Sequence, residues 1–98
     1  MAKGANDLQK KIIADFKEKG GVAFLFKVGN QRGISDIIGI IKGQAYIIEV
    51  KQYYSAGKDE LSKLQEYQMK RFKDAGAITF TVYTYTDYLI NMEMNDGN

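Results

Sequence analysis

The sequence predicts an α/β fold, a mixed central β-sheet flanked by helices in the order α-β-β-β-α-β with a short helix after it. Three observations predict it. Two segments carry apolar residues at helical spacing: Leu8, Ile12, Ile13 and Phe16 in one, and Leu61, Leu64, Phe72 and Ala75 in the other. Four segments are rich in β-branched and aromatic residues: "VAFLFKV" (22–28), the two arms of "GISDIIGIIKGQAYIIEVKQ" (33–52), and "AITFTVYT" (77–84). Glycines and polar clusters punctuate the chain between them.

Each element follows from local chemistry. Asn6 is the expected N-cap of the first helix, with Gln9 three residues on as in a capping box, and "KGG" (19–21) ends the helix. "VAFLFKV" is apolar and aromatic enough for a buried strand, and "GNQRG" (29–33) after it is a polar loop. Two strands then flank Lys42-Gly43. "QYYSAGKDE" (52–60) is a loop leading into a long helix at about 59–75, which stops at Gly76. A β-branched strand covers 77–84, Thr86-Asp87 caps a terminal helix through "YLINMEM", and the final "NDGN" frays.

Ninety-eight residues read as one domain spanning 1–98, small enough that a partner subunit would add stability. There is no cysteine, hence no disulfide framework, zinc-thiolate site or thiol nucleophile. There is no histidine either, which removes the usual neutral-pH base and the commonest transition-metal ligand. Catalysis would rest on carboxylates, Lys, Tyr or Ser/Thr, and a metal would be oxygen-bound, such as Mg²⁺ or Mn²⁺. The net charge of +2 neither requires nor opposes nucleic-acid binding. No apolar run approaches the roughly 18 residues of a membrane span, and the N-terminus lacks a signal-peptide apolar region. The chain reads as soluble and cytoplasmic.

The hairpin poses the chemical question, because Asp36, Glu49 and Lys51 stand in the most apolar stretch of the chain. If Lys42-Gly43 is a two-residue turn, Ile41 pairs with Gln44 and Asp36 falls directly opposite Glu49. Directly opposed side chains share a face with Cβ atoms about 4.5–5.5 Å apart. Lys51, two residues past Glu49, shares that face. Opposed like charges among apolar neighbours are costly, and a divalent cation between them removes the cost. Two carboxylates with water and a phosphate oxygen suit Mg²⁺, and Lys51 beside them could orient or deprotonate an attacking water. The competing reading puts the carboxylates on a solvated face with Lys51 paired to one of them. Apolar runs on both sides argue for a strand covered on both faces.

"GISD", an apolar strand, a Gly turn, "YIIEVK" and then the helix "LSKLQEYQMKRFKDAGA" resemble the PD-(D/E)XK nuclease superfamily. Within it the pattern is most similar to the virus-type replication-repair nuclease domain, VRR-NUC, from "DLQKKI" to "GAITFTVYT". The resemblance implies a restriction-endonuclease-like core and a metal-dependent DNA endonuclease, structure-specific on branched or junction DNA. It implies that Asp36, Glu49 and the Val50 carbonyl ligate the metal, that Lys51 is the catalytic lysine, and that Gln65 is the helix glutamine. It also implies a homodimer acting on duplex or branched DNA in the cytoplasm, the host's if the chain is phage-encoded. Many members carry a first-helix Glu that helps with metal; here Gln9 is the candidate contributor, with helix capping as its other role.

Gln65 and Gln68 both fall near the centre of the apolar face of their helix. Among residues able to touch DNA, Arg32 and Lys58 lie in loops flanking the hairpin site, ahead of Lys27, Lys10 and Lys11. Tyr53 and Tyr54 could stack on an unpaired base or pack in the interior. "GNQRG" lacks the phosphate-loop pattern. Two rivals stay open: a non-catalytic nucleic-acid-binding or assembly module of the same fold, and a nuclease for RNA or single strands.

Overall fold

A computed structural model describes residues 3–26, 35–51 and 63–96, with side chains over 7–26, 37–51 and 66–95. In chain order the elements are α1 (Lys3–Glu18), β1 (Val22–Phe26), β2 (Ser35–Ile41), β3 (Gln44–Val50), α2 (Lys63–Asp74), β4 (Ile78–Val82) and α3 (Tyr85–Asp96). The order is the expected one, with boundary corrections given below.

Lys42 and Gly43 join β2 to β3 with φ angles of 50° and 83°. Two consecutive positive φ values are what a tight hairpin turn matching the strand twist requires. The turn sets Ile41 opposite Gln44 and carries the register back to Asp36 opposite Glu49 and Ser35 opposite Val50. β1 pairs antiparallel with β2, while β4 returns parallel to β3, giving a mixed sheet in the order β1-β2-β3-β4.

α1 packs on β1, β2 and β3, and α3 packs on β4 and α1. Beneath them Ile37, Tyr46, Ile48, Val50 and Val82 meet Leu8, Ile12, Phe16, Tyr88 and Met92 in one core. Period-two alternation sends Ile47 and Glu49 to the opposite face, and both are only 1% exposed. Every residue of β3 from Tyr46 to Val50 is thus buried, as expected of a strand covered on both faces. Gly39 lets α1 approach: a Cβ there would stand 2.4 Å from the Phe16 ring.

β1 departs from the expectation of a buried strand. It lies at an edge of the sheet, and Val22, Phe24 and Leu25 are 62%, 56% and 50% exposed. Composition marks a strand but not its number of neighbours, and an edge strand keeps β-branched and aromatic residues without burying them.

The helix starts also differ. α1 runs from Lys3, so Asn6 and Gln9 are interior to it and form no capping box. An interior Asn costs a helix under about 1 kcal/mol. At α3 the cap is Thr84, not Thr86: Thr84 Oγ1 accepts from Asp87 N at 3.1 Å, while Asp87 Oδ2 accepts from Thr84 N at 3.1 Å and Tyr83 N at 2.8 Å. That is a capping box two residues earlier, and Tyr88 behind it is buried.

Both first helices end on a glycine in the left-handed region. Gly21 N bonds Phe16 O at 2.8 Å after Gly20, and Ala77 N bonds Phe72 O at 2.9 Å after Gly76. Ala75 is exposed in the second of these turns, so it does not belong to the apolar stripe of α2. The start expected for that helix, at 59–62, and the strand end at 27–28 lie outside the described residues.

Candidate functional site

One transverse row of the sheet carries the residues of interest. Phe26 on β1 pairs with Asp36 on β2, Asp36 with Glu49 on β3, and Glu49 with Thr81 on β4. Directly paired residues share a face, so all four belong to the side opposite α1. α2 covers part of that side, its Phe72 ring meeting Phe26 edge-to-face at 6.3 Å between centroids.

Glu49 is the centre of the row. It is flanked in sequence by Ile47, Ile48 and Val50, all buried, and is itself 1% exposed. A carboxylate taken out of water is retained only where hydrogen bonds or charges compensate it. Thr81 Oγ1 donates to Glu49 Oε1 at 3.0 Å. Asp36 stands opposite by backbone register; its side chain lies outside the described part.

Lys51 follows β3 and is half-buried. Its N–H donates to the Val82 carbonyl at 3.0 Å, which extends the parallel pairing one residue beyond the strand. Continued alternation keeps Lys51 on the face of Glu49. Val50 is buried at 3% exposure with its side chain in the opposite core, leaving its backbone between Glu49 and Lys51.

The remaining expected residues are distributed unevenly. Gln65 is in the first turn of α2, with its side chain outside the described part. Gln68 is half-buried and its Oε1 accepts from Arg71 Nη1 at 3.3 Å within the helix. Gln9 is buried at 6% exposure in the interior of α1. Arg32, Tyr53, Tyr54, Lys58 and Lys27 lie outside the described residues. Lys10 and Lys11 are exposed on α1, where Lys11 Nζ stands 5.7 Å from the centre of the Tyr85 ring.

All the oxygen donors named here are hard ligands, a set that fits Mg²⁺ or Mn²⁺ and fits zinc or copper poorly. Among the described residues no three His, Cys, Asp or Glu side chains converge. Two carboxylates and a carbonyl are a common protein share of an Mg²⁺ site.

Thr81 was not singled out by the sequence. "TFTV" shows alternation, placing Thr79 and Thr81 on one face, but a parallel neighbour joined through a helix has no turn to set its register.

A solved structure of a VRR_NUC domain shares this fold. The two chains align over 96% of each with a TM-score of 0.66 and 20% sequence identity. No family model matches the sequence, and no curated protein matches it. The chain therefore has the VRR_NUC fold, its described residues forming a four-stranded mixed sheet flanked by three helices.

Proposed function

We propose that the protein is a divalent-metal-dependent endonuclease that hydrolyses DNA phosphodiesters, with Asp36, Glu49, Val50 and Lys51 as its centre. The observation that carries this reading is the register of Asp36 against a Glu49 buried in the most apolar strand of the sheet. The shared fold with a VRR_NUC domain supports it.

In this reading Asp36, Glu49 and the Val50 carbonyl hold Mg²⁺ or Mn²⁺. Such an ion, when bound, makes water a better nucleophile and neutralises charge developing on the phosphate. Lys51 stands beside the nucleophile, where an ammonium can hold the attacking water in line and offset negative charge on the transferred oxygens. Gln65 positions water or substrate from α2, and Gln9 takes the place of a first-helix carboxylate. Arg32 and Lys58 contact phosphates, and Tyr53 stacks on a base. Branched or junction DNA is the preferred substrate class, and the active form is a homodimer. No helix among the described residues is long and apolar enough to cross a membrane.

The test uses labelled linear duplex, single-stranded, flapped and four-way-junction DNA, each with Mg²⁺, Mn²⁺ or EDTA, beside Glu49→Ala. Metal-dependent cutting that disappears in the variant is the expected result. Cutting that survives Glu49→Ala refutes the site. Undiminished DNA binding with no cutting of any substrate refutes catalysis and leaves a binding module of the same fold.

A further inference from the structure

Resting on the metal-site reading above, we infer that Thr81 is a positioning residue for that site: its hydroxyl sets the orientation in which Glu49 meets a divalent cation. Glu49 has three rotatable side-chain bonds, and a buried carboxylate that ligates must be held in one of its rotamers. The hydrogen bond from Thr81 Oγ1 to Oε1 at 3.0 Å does this directly. The row explains why it comes from β4. Thr81 and Asp36 are paired with Glu49 from the two neighbouring strands, so the hydroxyl anchors the carboxylate from the β4 side, away from β2. A donor on the β2 side would occupy the space where the two carboxylates must converge.

Packing does not account for Thr81. The residue is exposed on an edge strand, while its hydroxyl reaches a group that is 1% exposed. Strand propensity would explain a Thr here equally well without the bond, since Val and Ile serve an edge strand as readily. The two accounts separate on the hydroxyl.

The experiment compares Thr81→Val, which keeps the branched shape and loses the donor, with Thr81→Ser, which keeps the donor. The full chain is titrated with Mn²⁺ by calorimetry without DNA, and the rise in Tm on adding Mn²⁺ is read beside it. Thr81→Val should weaken Mn²⁺ binding about 10- to 100-fold, the usual effect of removing a partner that orients a ligand. Its metal-free Tm should fall, because a buried carboxylate loses a donor, while Thr81→Ser should melt and bind Mn²⁺ like the wild type. Should the Val variant fail to fold, Thr81→Ala gives the same comparison. Unchanged Mn²⁺ affinity in Thr81→Val, with Glu49→Ala no longer binding, overturns the role of Thr81 and leaves the metal site standing. A Thr81→Ser variant as weak as Thr81→Val also overturns it, because shape and not the donor would then matter. Mn²⁺ binding that survives Glu49→Ala removes the metal site itself.

Discussion

Tyr88 on α3 donates a hydrogen bond from its hydroxyl to Asp15 Oδ2 on α1 at 2.6 Å. The same carboxylate oxygen receives Lys19 Nζ at 2.6 Å. This link joins the two helices that cover one face of the sheet, and it does so at a phenol with no solvent exposure. Burial first, and then the bond to Asp15, push the Tyr88 hydroxyl well above its ordinary range. The folded state therefore holds this proton more tightly than the unfolded state. Stability from this group is fully present below the unfolded value of 10.0 and is lost as pH rises above it, at about 1.4 kcal/mol per pH unit. Tyr85 is shifted in the same direction, mainly by burial. Ultraviolet titration should show tyrosinate absorbance rising in two stages, the last coincident with alkaline unfolding. Tyr88→Phe should lose about 1–2 kcal/mol in urea unfolding near neutral pH and flatten the decline above pH 10. A Tyr88 that titrates freely in the native protein would contradict the buried bond.

Gly39 should tolerate no side chain. The Phe16 ring it faces cannot swing aside, since Phe16 is fully buried and packs on Tyr46 at 5.4 Å and Tyr88 at 6.3 Å between centroids. A Cβ at 2.4 Å from Cε2 and 2.7 Å from Cδ2 forces the helix away from the sheet. We expect Gly39→Ala to cost about 1–3 kcal/mol, despite the small gain alanine brings through the unfolded chain. Phe16→Leu in the same chain should recover part of the loss. No recovery in the double variant would mean that the ring is not the obstacle.

The turn at Lys42-Gly43 can be tested by making it better and worse. Lys42 has a φ of 50°, which costs a β-carbon residue about 1 kcal/mol that asparagine largely avoids. Lys42→Asn should raise stability by a few tenths to about 1 kcal/mol, and Gly43→Ala, at a φ of 83°, should lower it by about 1–2 kcal/mol. Both positions are exposed, so packing does not confuse the reading. Thermal melts in which neither variant moves Tm would refute the turn type, and with it the reason Asp36 falls opposite Glu49.

That opposition was legible in the sequence because a two-residue turn fixes every pair behind it. A slip of one residue would have moved Asp36 to the other face. The Glu49–Thr81 pair was not legible, since the path from β3 to β4 passes through α2 and leaves the parallel register to tertiary packing. The same limit applies to β1. Its apolar residues identify a strand, but whether Phe24 is covered depends on what packs over the edge of the sheet. Helix ends fared by chemistry: Gly20 and Gly76 were marked by the residue that positive φ favours. The starts were less legible: α1 begins at Lys3, ahead of Asn6, and α3 is capped by the reciprocal Thr84–Asp87 bonds and not at Thr86, because several residues near each start can cap equally well.

The exposed apolar residues of β1 and β2 give the proposed dimer its testable form. Val22 pairs with Ile40 and Phe24 with Ile38, so these four side chains share one face, with Val22, Phe24 and Ile40 at 62%, 56% and 51% exposure. Large apolar groups gathered on one patch mark an interaction surface more often than scattered ones do. A second copy is the proposed occupant, because 98 residues bury a small share of their surface alone. If this face is the contact, Phe24→Glu places a charge at its centre and should dissociate the protein. The variant should fold, since Phe24 is exposed and lies on an edge strand. Light scattering should then report a mass near 11.1 kDa for Phe24→Glu and twice that for the wild type. A wild-type mass near 11.1 kDa at micromolar concentration would refute the dimer. A dimer unmoved by Phe24→Glu would place the contact on another surface.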